Sequence, residues 1–212
     1  MIRILFTFAL TAFVCNAQEF KRQCQCSEVR PCKDKAIQSV EPCADKCGAK
    51  EFLRNSHIDF NTMRTCIMQY RPQIVQSMQC SIDTFKDACS QGPTNRKVKK
   101  LYASSIEIAI MGEINQMITV NQISGQVAQY VAIGRKYANC VQKCIERRST
   151  ECQKANDCGL ALPQETVIAK TIKNCAVRSG LLTTQVAQTL CNCAVRAGAR
   201  SLAPVCPTII IQ

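Results

Sequence analysis

Cysteine is the residue type here with the most chemistry to offer. Seventeen occur in 212 residues, several as close pairs: Cys24-x-Cys26, Cys43-x3-Cys47, Cys140-x3-Cys144 and Cys191-x-Cys193. Such pairs serve either as zinc ligands, where thiols stay reduced, or as disulfides, where they are oxidised. The N-terminus decides between the two. Met1–Ala17 has an early cation (Arg3), an apolar run from Ile4 to Val14 and the exit Cys15-Asn16-Ala17. That is the pattern of a secretory signal, with cleavage expected after Ala17. Its apolar run is too short for the roughly 20 residues that span a bilayer. Cys15 leaves with the signal, so sixteen cysteines remain: Cys24, Cys26, Cys32, Cys43, Cys47, Cys66, Cys80, Cys89, Cys140, Cys144, Cys152, Cys158, Cys175, Cys191, Cys193 and Cys206. An even set in an oxidising compartment predicts up to eight disulfides. No metal site or cofactor is expected. Cysteines four apart share a helix face and suit bridges to a neighbouring helix. A Cys-x-Cys pair is expected to bond in two directions. No Cys-x-x-Cys occurs, so a thioredoxin-like redox motif is absent.

Other catalytic chemistry has little to build on. His57 is the only histidine, in the polar string Asn55-Ser56-His57-Ile58-Asp59. A catalytic zinc or a nucleophile–base arrangement draws on a histidine held by partner groups. There is no second histidine and no cysteine within eight positions of His57, which reads as a loop residue. The acids are scattered and form no motif. A non-enzymatic protein is the expectation.

The cations are a different matter. Arg96-Lys97-Val98-Lys99-Lys100 places four positive charges in five residues, and Arg147-Arg148 follows a segment bearing Arg135, Lys136 and Lys143. Outside the cell, basic clusters meet sulfated glycans and anionic lipid surfaces rather than nucleic acid. Arg96, Lys97, Lys99, Lys100, Arg147 and Arg148 are therefore the candidate polyanion-binding residues. The alternative for any charge run is a solvated face. No Asn-x-Ser/Thr sequon occurs, so N-linked glycans are not expected.

The elements that must position these residues read as helices. Cys32, Ala36, Val40, Cys43 and Cys47 fall at helical steps, with Pro31 at the start and a kink or division expected at Pro42. A second helix would turn Phe60, Met63, Cys66, Ile67 and Tyr70 inward. Pro72 opens a third, with Ile74, Val75, Met78, Ile82, Phe85 and Cys89 on one side and Cys80 pointing elsewhere. Leu101–Val120 is apolar nearly all round and reads as a buried central helix. Its alternation at Ile106, Ile108 and Ile110 also suits a strand, and a lipid cavity lined by Ile110, Ile114 and Met117 is the sharper alternative. Gln126–Glu146 carries a helical stripe through Val127, Tyr130, Val131, Tyr137, Val141, Cys144 and Ile145. One repeat is present. Ile168–Gly180 recurs as Val186–Gly198, matching Cys175 with Cys193, Arg178 with Arg196 and Gly180 with Gly198. Each unit reads as a short helix stopped by glycine, the first opened by Pro163 and the second capped by Thr183 or Thr184.

The cysteine pattern resembles a known family. Cys24-Gln25-Cys26 through Pro31-Cys32, then Pro42-Cys43 through Cys47, look like the secreted cysteine-rich domain named for nematode chondroitin proteoglycan 4. Cys140 to Cys144, Cys158-Gly159 to Pro163, Leu190 to Cys193, and Leu202 to Cys206 extend the likeness over most of the chain. The resemblance implies an extracellular protein without assigned activity. The family's name refers to chondroitin attachment in one kind of member. This chain lacks the Ser-Gly-rich acidic region that attachment requires.

The expectation is thus an all-α, disulfide-rich bundle of seven or eight short helices. The expected division is a signal at 1–17, an eight-cysteine part at 18–90, a cysteine-free basic linker with central apolar helices at 91–139, and a second eight-cysteine part at 140–212. Two lobes, or one domain over 18–212, both fit. The expected function is that of a secreted structural or interaction protein of extracellular matrix, eggshell or body fluid. Its candidate partners are anionic glycans or extracellular proteins. A small hydrophobic-ligand or lipid carrier is the alternative. Neither nucleic acid nor a membrane span is expected.

Overall fold

The computed structural model describes residues 19–55 and 58–211. The signal assigned to 1–17 and His57 lie outside the described residues. The fold is all-α, with seven helices and three very short strands among the described residues. In chain order these are β1 (Phe20–Gln23), α1 (Cys26–Asn55), α2 (Phe60–Met68), α3 (Arg71–Thr84), β2 (Lys97–Lys99), α4 (Ala103–Val120), α5 (Ser124–Asn156), β3 (Cys158–Gly159), α6 (Glu165–Arg178) and α7 (Thr184–Arg196).

The long helices α1 and α5 form the spine. Cys43 bonds Cys144 and Cys47 bonds Cys140, each with Cα atoms 5.7 Å apart, so the two helices run antiparallel under a double staple. Helix α1 begins at Cys26, ahead of the expected start at Pro31, and runs on through Pro42. Gln25 and Glu28 explain the earlier start. The Glu28 carboxylate accepts from the Gln25 backbone N–H at 2.7 Å, which satisfies an otherwise orphaned donor at the helix entrance. Gly48 lets Phe60 lie directly on α1, because a Cβ there would fall within 2.4 Å of three Phe60 ring carbons. The far side of that ring meets Tyr137 of α5, with centroids 6.4 Å apart.

The repeat is a duplication of structure as well as of sequence. Cys175 of α6 bonds Cys80 of α3, and Cys193 of α7 bonds Cys66 of α2. Three residues after each repeat cysteine comes an arginine on the same helix face. The Arg178 guanidinium reaches Cys80 Sγ at 2.7 Å, and that of Arg196 approaches Cys66 Sγ at 3.7 Å. Both helices end alike. Gly180 and Gly198 have φ of 72° and 124°, and the N–H groups of Leu181 and Ala199 turn back to Ala176 and Ala194. That closure needs a residue without Cβ at its left-handed position. At the other end Thr183 caps α7 by accepting from Val186 N–H, whereas α6 begins two residues after Pro163.

Three further expectations change. The stripe on α3 is rotated: Val75 is exposed, and Ser77 is the buried residue of that helix. The bond from Cys80 to α6 sets which face turns inward, overriding hydropathy. Helix α4 is a helix but not a buried centre. None of its residues is fully buried, and Ile108 is 74% exposed. It lies against α6, joined by Lys173 Nζ to Glu113 at 3.2 Å. No cysteine ties it inward, so its apolar residues are shared between α6 and solvent. The third change is a small sheet of order β2-β1-β3, where no strand of this kind was expected. β2 is antiparallel to β1, and β3 is parallel to it.

Among the described residues the most deeply buried large side chains are all cysteines: Cys43, Cys47, Cys175, Cys193 and Cys206. A modest apolar cluster around Ile58, Ala197, Ala199 and Leu202 adds Met63, Val127, Tyr130 and Ile133. Cys191–Cys206 folds the C-terminal turn onto α7. At the other end Cys24–Cys158 and Cys26–Cys89 fix the sheet to the start of α1. The paired Cys-x-Cys residues thus bond in different directions. Five of the seven described bridges join the first eight-cysteine set to the second, and α5 runs across the 139/140 division. No helix among the described residues is long and apolar enough to cross a membrane.

Candidate functional site

The sheet gathers cations that lie far apart in sequence. β2 reads Lys97-Val98-Lys99, and the period of two turns Val98 inward while both lysines stay exposed. Gly159 of β3 makes room for Val98, since a Cβ there would lie 2.9 Å from its Cγ2. Register then sets Lys21 beside Val98 and Arg22 beside Lys97.

Two cations of β1 are held by acids. Arg22 forks onto Glu28 with Nη1–Oε2 2.8 Å and Nη2–Oε1 2.6 Å, and donates again to the Asn156 carbonyl at 2.8 Å. Arg22 and the Gln25 N–H together pull the Glu28 pKa from 4.5 down to about 2. Lys21 bridges Glu19 and Asp157, each at 2.9 Å, and its own pKa rises through those bonds. Asp157 holds its place on a left-handed backbone (φ 36°) that ends α5. Lys100 completes the set. Its ammonium sits 2.6 Å from Glu19 and 5.2 Å above the Tyr102 ring. Contact with Lys100 and Lys21 lowers the Glu19 pKa from 4.5 to about 2.

Between this sheet and the first turns of α1 lies a groove of about 780 Å³. Val29, Cys32, Lys33 and Ala36 of α1 fall at helical steps and form one wall. Leu101, Leu160 and Leu162 supply further apolar surface, with the Cys24–Cys158 bridge also in the lining. Four lining residues are lysines (Lys21, Lys33, Lys99 and Lys100), against one acid, Asp157. Lys21 and Lys100 are paired as described. Lys33 and Lys99 make no ion pair among the described residues. A shallower hollow of about 340 Å³ adjoins it, lined by Phe20, Lys21, Arg22, Lys97, Asn156 and Asp157.

The six sequence candidates therefore separate. Arg96, Lys97, Lys99 and Lys100 stand together on and beside the edge strand, with Lys100 neutralised by Glu19. Arg147 and Arg148 are exposed on α5, eight to nine residues before Asn156, or about 12–14 Å along the helix axis. No hydrogen bond or ion pair between them and the edge strand is found among the described residues. Lys21, Arg22 and Lys33 escaped the sequence reading because each stands alone or beside one cation. The Lys-Val-Lys alternation was the available signal for β2.

Helix α4 does not line this groove, so the lipid cavity expected around Ile110, Ile114 and Met117 is not this one. Among the described residues no cluster of three His, Cys, Asp or Glu side chains is placed to hold a metal ion. No family model, curated protein or solved structure matches this chain.

Proposed function

We propose that the chain is a secreted, non-enzymatic interaction protein of extracellular matrix, eggshell or body fluid that binds anionic glycans through its edge strand. The observation that carries this is the pair Lys97 and Lys99. They stand two residues apart on the outer strand of the sheet, exposed and without ion-pair partners among the described residues, with Arg96 exposed beside them. Side chains at such spacing share one face about 6–7 Å apart, a row of point charges suited to a chain of sulfates or carboxylates. The disulfides between distant cysteines support an oxidising, extracellular setting. The resemblance to the nematode chondroitin proteoglycan 4 domain supports the same compartment and the absence of catalysis.

Chromatography on heparin and on chondroitin sulfate tests the glycan reading. The protein elutes above physiological salt, and Arg96→Glu/Lys97→Glu/Lys99→Glu elutes in the flow-through while Arg147→Glu/Arg148→Glu is retained. Passage of the unmodified protein at low salt overturns the reading. N-terminal sequencing of protein secreted from a eukaryotic host tests cleavage after Ala17.

A further inference from the structure

We infer that the groove between the sheet and α1 binds a single-chain amphiphile with an anionic head, of which a long-chain carboxylate is the simplest example. The walls and the charges ask for different halves of one ligand. Val29, Ala36, Leu101, Leu160 and Leu162 offer alkyl surface, and among the described residues no aromatic ring on which a sugar could lie faces the groove. A volume of about 780 Å³ falls within the usual range for small-molecule sites. An apolar chain gains by leaving water for such walls, while a free inorganic anion leaves them unused.

The head is selected by charge. Four lysines against one aspartate line the groove, and two of them, Lys33 and Lys99, have no anionic partner among the described residues. Lysine stems lie along apolar surface while the ammonium stays at the water boundary. That is where the head of a ligand with a buried tail comes to rest. A cationic head would meet like charge, and a neutral one would leave these lysines unanswered. This reading is separable from the glycan reading: the two share Lys99, but Lys33 belongs to the groove alone, and Arg96 and Lys97 do not line it.

Isothermal titration with the carboxylates of 8, 10, 12 and 14 carbons tests it, below their micelle concentrations and on the intact disulfide-bonded protein. Affinity rises about fourfold per added methylene, the factor for burying one such group, until the groove is filled. Dodecanol binds at least tenfold more weakly than dodecanoate. Lys33→Glu/Lys99→Glu weakens dodecanoate at least tenfold, and Ala36→Trp, which places an indole in the groove, removes binding while heparin retention is unchanged. Circular dichroism and a thiol count confirm that each variant keeps its fold and bridges. Equal affinity for acetate and dodecanoate overturns the proposal in favour of a bare anion site. Equal affinity for dodecanol and dodecanoate, or binding unchanged in both variants, overturns it as well.

Discussion

Helices α4 and α7 show opposite relations between composition and burial. Ala103–Val120 of α4 contains only two charged residues, Glu107 and Glu113, and is the most apolar of the helices to read by eye. None of its side chains is fully buried. Thr184–Arg196 of α7 is rich in Thr, Gln and Asn, yet it buries Val186 and seals Cys193 completely. The difference is a crosslink. Helix α7 carries two cysteines that bond outward to α2 and to the C-terminal turn, and α4 carries none. Position in this molecule is set first by covalent partners and close backbone contacts, and apolar surface then fills in around them. That ordering suits a chain with no tryptophan and seven phenylalanines in 212 residues, whose apolar core is correspondingly thin.

The comparison can be broken at its strongest point first. Replacing Cys80 and Cys175 together by serine removes the staple between α3 and α6. Cys66–Cys193 still holds the neighbouring pair, so the loop that the lost bridge closed is far shorter than its sequence separation of 95. A loss of about 4 kcal/mol follows from the loop-entropy relation, read as a lower midpoint in urea unfolding. Next is Gly48→Ala. The new methyl group overlaps the Phe60 ring, and overpacking of this kind costs about 2 kcal/mol net of the better helix propensity of alanine. Thermal unfolding measures it, and Gly48→Ala/Phe60→Leu should recover part of the loss.

A smaller effect is expected on acidification. The folded-state pKa values of Glu19 and Glu28 are lowered from 4.5 to about 2, so between those values the unfolded chain binds more protons than the native one. The stability they contribute is complete above about pH 4.5 and fades as the pH falls towards 2. Amide protection factors, taken against the intrinsic exchange rate at each pH, should fall in β1 and at the entrance of α1 over that window while the stapled stretches of α1 and α5 keep theirs. The smallest effect belongs to the exposed helix. Ile108→Ser on α4 changes stability by less than about 0.5 kcal/mol, as for ordinary surface positions, and a larger loss in urea unfolding would contradict the exposed placement of α4.

Much of the bundle was legible because cysteine itself fell at helical spacing. Cys43 and Cys47 stand four apart, as do Cys140 and Cys144, and the structure bonds one pair to the other. The repeat announced two equivalent helices with glycine stops, and both are present. What sequence patterning could not reveal is which face a bridge turns inward, as at Val75. It also could not reveal that an all-round apolar helix would stay at the surface, because the pattern records hydropathy and not tethering. The sheet was hidden by its size. Strands of four, three and two residues carry almost no periodic signal, and their partners lie far apart along the chain. The groove inherits that difficulty, since its lysines converge only once β1, β2 and α1 are in place.

The interleaved bridges also have a consequence for biosynthesis. A chain entering an oxidising compartment N-terminus first delivers Cys24, Cys43, Cys47, Cys66 and Cys80 before any of their partners, which follow 93 to 134 residues later. At synthesis rates of about 5–20 residues per second, those thiols wait for roughly 5–25 seconds. Premature pairing among the early cysteines is therefore open to the nascent chain, and each such bond must be undone by thiol–disulfide exchange. For a chain that matures by this route, reaching the interleaved pattern calls for disulfide isomerisation wherever such a mispair has formed.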